Sequence, residues 1–166
     1  IVERFARHPK YFPVLLSCNK PVAQSWCRRC PKCAVTYLLL SAFVDPAEVQ
    51  AIFGEELFAR AELEPAFQAI LGVVGDKPLE CVCTPEEAVL AARRAAQRIT
   101  AAGAPLPGLL ARALAGTAAV VIDEAALLGD HNEENLLPSW FAARQRPARA
   151  VLGEQETAVR RDGGGE

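Results

Sequence analysis

The chain has 166 residues, of which 51% are hydrophobic and 23% charged, and 18 basic against 20 acidic side chains leave a formal net charge of −2. That length is enough for one domain with a buried core, and the balanced charge excludes a non-specific nucleic-acid binder, which carries a basic excess. No apolar run approaches the ~18 residues of a membrane span, the longest being the interrupted stretch 34–44, so neither nucleic acid nor a membrane is expected as a partner.

The first stretch, 1–17, reads as a short amphipathic entry. Phe5, His8, Tyr11 and Phe12 are spaced for one helical face, and Pro13 is expected to end it. This charged N-terminus has no apolar h-region of a signal peptide. The sequence begins at Ile1 and contains no methionine, as expected of the C-terminal part of something longer.

Four of the six cysteines follow within Cys18–Cys33, CNKPVAQSWCRRCPKC, in the pattern C-x8-C-x2-C-x2-C. Two-residue gaps let successive thiolates turn back towards one centre, the arrangement tetrahedral zinc asks of its ligands. Pro31 and the short polar and basic residues favour an irregular knuckle. Cys18, Cys27, Cys30 and Cys33 are therefore candidate metal ligands, forming a closed structural site with no position open to substrate. Two disulfides, or four reduced buried cysteines, are the alternatives. Metal-type spacing without an export signal points to thiols of a cytoplasmic protein rather than extracellular bridges.

After Cys33, AVTYLLLSAFV predicts a buried helix that anchors the knuckle. Asp45 as cap, Pro46 at the first helical position and Glu48 three residues on predict a second helix, with Val49, Ile52 and Phe53 inward and Gly54 as its stop. A third is expected over 65–74, with Phe67, Ile70, Leu71 and Val74 on one face. A turn at 75–78 leads into LECVC, short and extended. Thr84-Pro85-Glu86-Glu87 opens the clearest helix, whose stripe of Ala88, Val89, Ala91, Ala92, Ala95, Ala96 and Ile99 is buried, while Arg93, Arg94 and Arg98 form a solvated face. Residues 105–114 are helix-like, and VVID at 120–123 is open between strand and helix. An apolar patch at Leu136, Leu137, Trp140 and Phe141 precedes a polar end. The fold class is thus mainly α, with a four-cysteine zinc-type knuckle and one or two short strands, as the C-terminal part of a larger α/β enzyme. The expected division is a helical domain over 1–147 and a disordered tail over 148–166.

No complete catalytic constellation appears: there is no G-x-S-x-G elbow, GxGxxG or Walker A motif. Outside the knuckle the densest reactive set is GDKPLECVC, where Lys77, Glu80 and Cys81 offer a cation, a carboxylate and a thiol at one turn. Glutamate and cysteine transfer protons once burial or a neighbouring charge tunes them. The alternative is a surface turn leading to a buried edge strand, with Cys81 as a small core residue.

SCN at 17–19, WCRRCPKC at 26–33, DPAEVQAIFG at 45–54 and GDKPLECV at 75–82, in that order, resemble the MurL family of epimerases acting on UDP-N-acetylmuramoyl-L-alanyl-L-glutamate. The resemblance covers about residues 8–90. The knuckle alone is also similar to that of 7-cyano-7-deazaguanine synthase, an adenylating enzyme of nucleotide modification, and a zinc-stabilised interaction module is the remaining alternative. The MurL resemblance implies a cytoplasmic enzyme of peptidoglycan precursor synthesis. It uses ATP and magnesium to activate the terminal L-Glu of the UDP-N-acetylmuramoyl dipeptide as an adenylate and inverts its α-carbon. It further implies a structural zinc at Cys18, Cys27, Cys30 and Cys33, with Lys77, Glu80 and Cys81 as candidates for the substrate end of the site. The ATP-binding half lies before Ile1 in this reading.

Overall fold

A computed structural model describes residues 1–78, 83–129 and 137–141. Two compact units divide the chain, 1–122 and 123–166. The described part is helical, and among the described residues the only β pairing is an isolated bridge between Val22 and Ser25. The extended segment expected after the turn at 75–78 falls mostly on 79–82, outside the described residues.

The first unit is assembled around one buried helix. Helix α1 spans Val2–Ala6 and a 3-10 segment Pro9–Val14. Pro13 lies inside that segment rather than ending a longer helix. Phe12 is buried against Phe5, with ring centroids 5.5 Å apart, whereas His8 and Tyr11 face solvent. Helix α2, Pro31–Ser41, starts with proline at its first position, where the lost N–H is an orphan anyway. Seven of its residues are buried, around most of its circumference, as befits a core helix. Helix α3, Pro46–Phe53, is capped by Asp45, whose Oδ1 accepts from the Ala47 N–H at 2.9 Å, and Gly54 ends it in the left-handed region at φ +78°.

Helix α4 covers Glu64–Ile70 and stops short of the expected end. Gly72 turns the chain at φ +71°, with Pro85 so close that a Cβ would lie 3.2 Å from it, and Val74 is consequently 60% exposed instead of continuing the apolar face. Helix α5, Pro85–Ala101, has a full capping box between Thr84 and Glu87. Its face of small residues, Ala88, Ala91, Ala92 and Ala95, allows close approach, and α5 is the principal neighbour of α2. Helix α6, Gly108–Ala115, packs on α5 and α4. The VVID segment is neither helix nor strand.

The arginines of α5 do more than solvate a face. Arg93 donates from Nη2 to the carbonyls of Thr117 (3.2 Å) and Val120 (2.7 Å), closing the turn after α6. Arg98 Nε donates to the Val44 carbonyl at 3.3 Å, and Arg94 lies over the Phe43 ring, 5.2 Å from its centroid. The buried hydroxyls of Ser41 and Thr117 are satisfied, Ser41 on the Tyr37 carbonyl and Thr117 on that of Leu114, each at 2.8 Å. No described helix is long and apolar enough to cross a membrane.

In the second unit, α7 spans Glu124–Gly129 and Asp123 caps it through the Ala126 N–H at 3.0 Å. Leu137, Trp140 and Phe141 are exposed, with the two rings edge-on at 5.6 Å; Leu136 lies outside the described residues.

Candidate metal centre

The four cysteines are delivered by three short devices. Cys18 ends the extended run after the 3-10 segment. The chain then reverses through Val22–Ser25, with paired backbone hydrogen bonds of 3.0 and 2.9 Å and with Ala23 and Gln24 at φ +48° and +58°. Two successive left-handed residues make this a type I′ hairpin turn, which normally selects Asn-Gly. Cys27 follows, and Arg28 at φ +60° bends the backbone again so that Cys30 and the first turn of α2, carrying Cys33, come alongside. Three non-glycine residues held at positive φ within six positions mark a loop whose geometry is imposed by its surroundings.

The sulfurs converge. Cys30–Cys33 is 3.5 Å, Cys27–Cys33 and Cys18–Cys33 are 3.7 Å, and Cys18–Cys30 is 4.0 Å. All four lie within 4.8 Å of one another and none is in a disulfide. A tetrahedron with metal–sulfur bonds of ~2.3 Å has edges of about 3.8 Å, so the spacing fits a single four-coordinate ion. Backbone N–H groups of Lys20 (3.3 Å) and Cys27 (3.4 Å) donate to Cys18 Sγ. Burial opposes ionisation of Cys27, but hydrogen bonds involving the Arg29 backbone, Cys18 and Cys30 outweigh it and bring the thiol down to about 6. Burial pushes Cys30 and Cys33 up. The cluster could hold a metal such as zinc.

The knuckle is tied to the core on two sides. Trp26 is buried beside it and stacks on Phe53 of α3 at 4.2 Å. From there the rings continue to Tyr37 (5.1 Å), Phe58 (4.9 Å) and Phe67 (5.3 Å), linking α3, α2, the turn 57–59 and α4. On the outer side Arg28 reaches Glu55 at 3.8 Å, and Glu55 takes a bidentate pair from Arg60 at 2.9 and 3.0 Å. Sequence reading missed this anchoring: Glu55 beside the helix-stop Gly54 carries no local signal, and only the fold brings it to residues 28 and 60.

The other candidates are placed less completely. Lys77 is half-buried in the connection between α4 and α5. Glu80 and Cys81 lie outside the described residues.

A helical domain organised by a four-cysteine knuckle is the class these features define. The chain belongs to the MurL family: the family model described as the MurL C-terminal domain matches residues 14–125. It is 36% identical over 123 residues to a UDP-N-acetyl-alpha-D-muramoyl-L-alanyl-L-glutamate epimerase of a Micromonospora species, a match covering 71% of this chain and 28% of that protein. Proteins of the same name from Salinispora tropica and Xanthomonas oryzae pv. oryzae are similar at 38% and 33% identity. These matches cover 55% and 56% of this chain and 21% and 23% of theirs. The chain thus spans about a quarter of the length of the curated relatives it matches. No solved structure matches it.

Proposed function

We propose that this domain is the C-terminal part of an ATP-dependent epimerase that converts the terminal L-Glu of UDP-N-acetylmuramoyl-L-Ala-L-Glu to D-Glu in peptidoglycan precursor synthesis. The observation that carries the reading is the family match over 14–125 together with 36% identity to an epimerase named for that substrate. Removing a proton α to a free carboxylate builds a second negative charge on the same group. Activation as an adenylate, with ATP and Mg²⁺ bound by the rest of a family-length polypeptide, makes the acid ester-like and lets the carbanion spread as an enolate. Inversion then needs proton removal on one face and return on the other by positioned groups.

Within this domain Cys18, Cys27, Cys30 and Cys33 would hold zinc, which supplies a fixed structural crosslink and, with four protein ligands, no open position for substrate. Lys77, Glu80 and Cys81 are assigned to the substrate end. Their support is chemical: a cation for a carboxylate or phosphate, and two groups competent in proton transfer. The family-length enzyme carrying this domain, given ATP and UDP-N-acetylmuramoyl-L-Ala-L-Glu, should release AMP and form the D-Glu epimer. Absence of AMP release with that substrate would overturn the reading. Glu80→Gln and Cys81→Ala should each suppress epimerisation with the metal retained; full rate in both removes the site assignment.

A further inference from the structure

Beside the knuckle lies an open cleft of about 820 Å³. Its floor is aromatic, made by the buried Phe12 and Trp26, and its walls come from the 3-10 segment on one side and from Ala51 and Ile52 of α3 on the other. Apolar side chains stand unburied on and around its rim: Val14 is 76% exposed, Leu16 40% and, on the adjoining hairpin, Val22 64%. Glu48 is the one charged residue among the described lining, with Gln24 and Ser25 as its uncharged polar neighbours. An exposed apolar concavity with a sparse polar rim is how a docking surface differs from scattered surface hydrophobes.

The position of the cleft in the family architecture bears on its occupant. The C-terminal domain model starts at residue 14, and the lining straddles that point, with Pro9, Phe12 and Pro13 before it and the rest after it. The relatives are matched over only 21–28% of their length, so a family-length polypeptide carries a large further portion, and a chain running into this domain enters along the cleft wall. The strained turn at Ala23 and Gln24 holds the cleft edge in shape without glycine, which suits a preformed surface.

We infer that this cleft is the seat of the N-terminal portion of the MurL-type polypeptide. The seated segment is apolar and brings a cation or hydrogen-bond donors to Glu48, so that the knuckle rigidifies a face between domains. The inference rests on the reading of this chain as the C-terminal domain of a longer enzyme.

The test places a photo-crosslinking benzoylphenylalanine at Val14, Ala51 or, as a control, the exposed Val121 in the family-length polypeptide, and maps the products by mass spectrometry. Positions 14 and 51 should crosslink within one polypeptide to peptides N-terminal to this domain, position 121 should not, and Val14→Glu should abolish the crosslink from 51. Crosslinks to a second copy, crosslinks to no protein segment, or equal yield from position 121 each overturn the inference. AMP release measured on the unsubstituted enzyme keeps the two proposals apart: an active enzyme without the crosslink refutes the docking surface alone, and a crosslinked enzyme without AMP release refutes the epimerase reading alone.

Discussion

Cys33 carries more of the knuckle than its companions. Its sulfur lies 3.5–3.7 Å from each of the other three, it is fully buried, and it is the one ligand seated within a regular helix. Cys33→Ser should abolish metal binding, whereas Cys83→Ser, outside the cluster, should retain it, as read by elemental analysis of the purified chain. Burial pushes the Cys30 and Cys33 thiols up, so a metal that binds there must displace their protons. Affinity therefore rises with pH, and acidification returns the protons and weakens the site. Release followed with a chromogenic chelator checks the sign, and a pH-independent affinity would contradict it. Arg93 is a different kind of residue. Its two carbonyl contacts close the turn after α6, and Arg93→Ala should cost about 2 kcal/mol in a denaturant titration. Periodicity located Arg93 off the buried stripe of α5; it carries no information on which carbonyls of a distant segment lie beside that side chain.

At the level of elements, the local signatures were legible. Thr84 through Glu87 spells a capping box, and the box forms; Asp45-Pro46 and Gly54 bracket α3 as expected. Thr84→Ala should lower stability by about 1 kcal/mol. The ends that were misjudged, at Pro13 and Val74, depend on non-local packing: Phe12 turning inward against Phe5, and Gly72 accommodating Pro85. The hairpin at Ala23 and Gln24 was unreadable for the opposite reason, since its residues contradict the turn they adopt. Replacing the pair by Asn-Gly should relieve the left-handed strain and stabilise the chain by about 1 kcal/mol, visible as a raised melting temperature.

Across the whole first unit, the knuckle was legible because all its ligands sit close in sequence. The ring series Trp26, Phe53, Tyr37, Phe58 and Phe67 was not, because each partner comes from a different element. Phe53 joins the knuckle's Trp26 to the rest of the series, fully buried between Trp26 and Tyr37. Phe53→Ala should cost about 3–5 kcal/mol by leaving a cavity that neighbouring rings fill only in part, and should also weaken metal retention by loosening the knuckle's seat; an unchanged metal affinity would show that the knuckle stands apart from the core. The short span from Cys18 to Cys33 also bears on the order of folding. Closing a loop of that length takes well under a microsecond by comparison with distant helix pairing, and its entropy cost is small. A nascent chain can therefore gather its four sulfurs and trap an ion before α5 and α6 exist to pack against. In that sequence of events a bound ion would template the start of α2, and the remaining helices would condense on a nucleus already crosslinked.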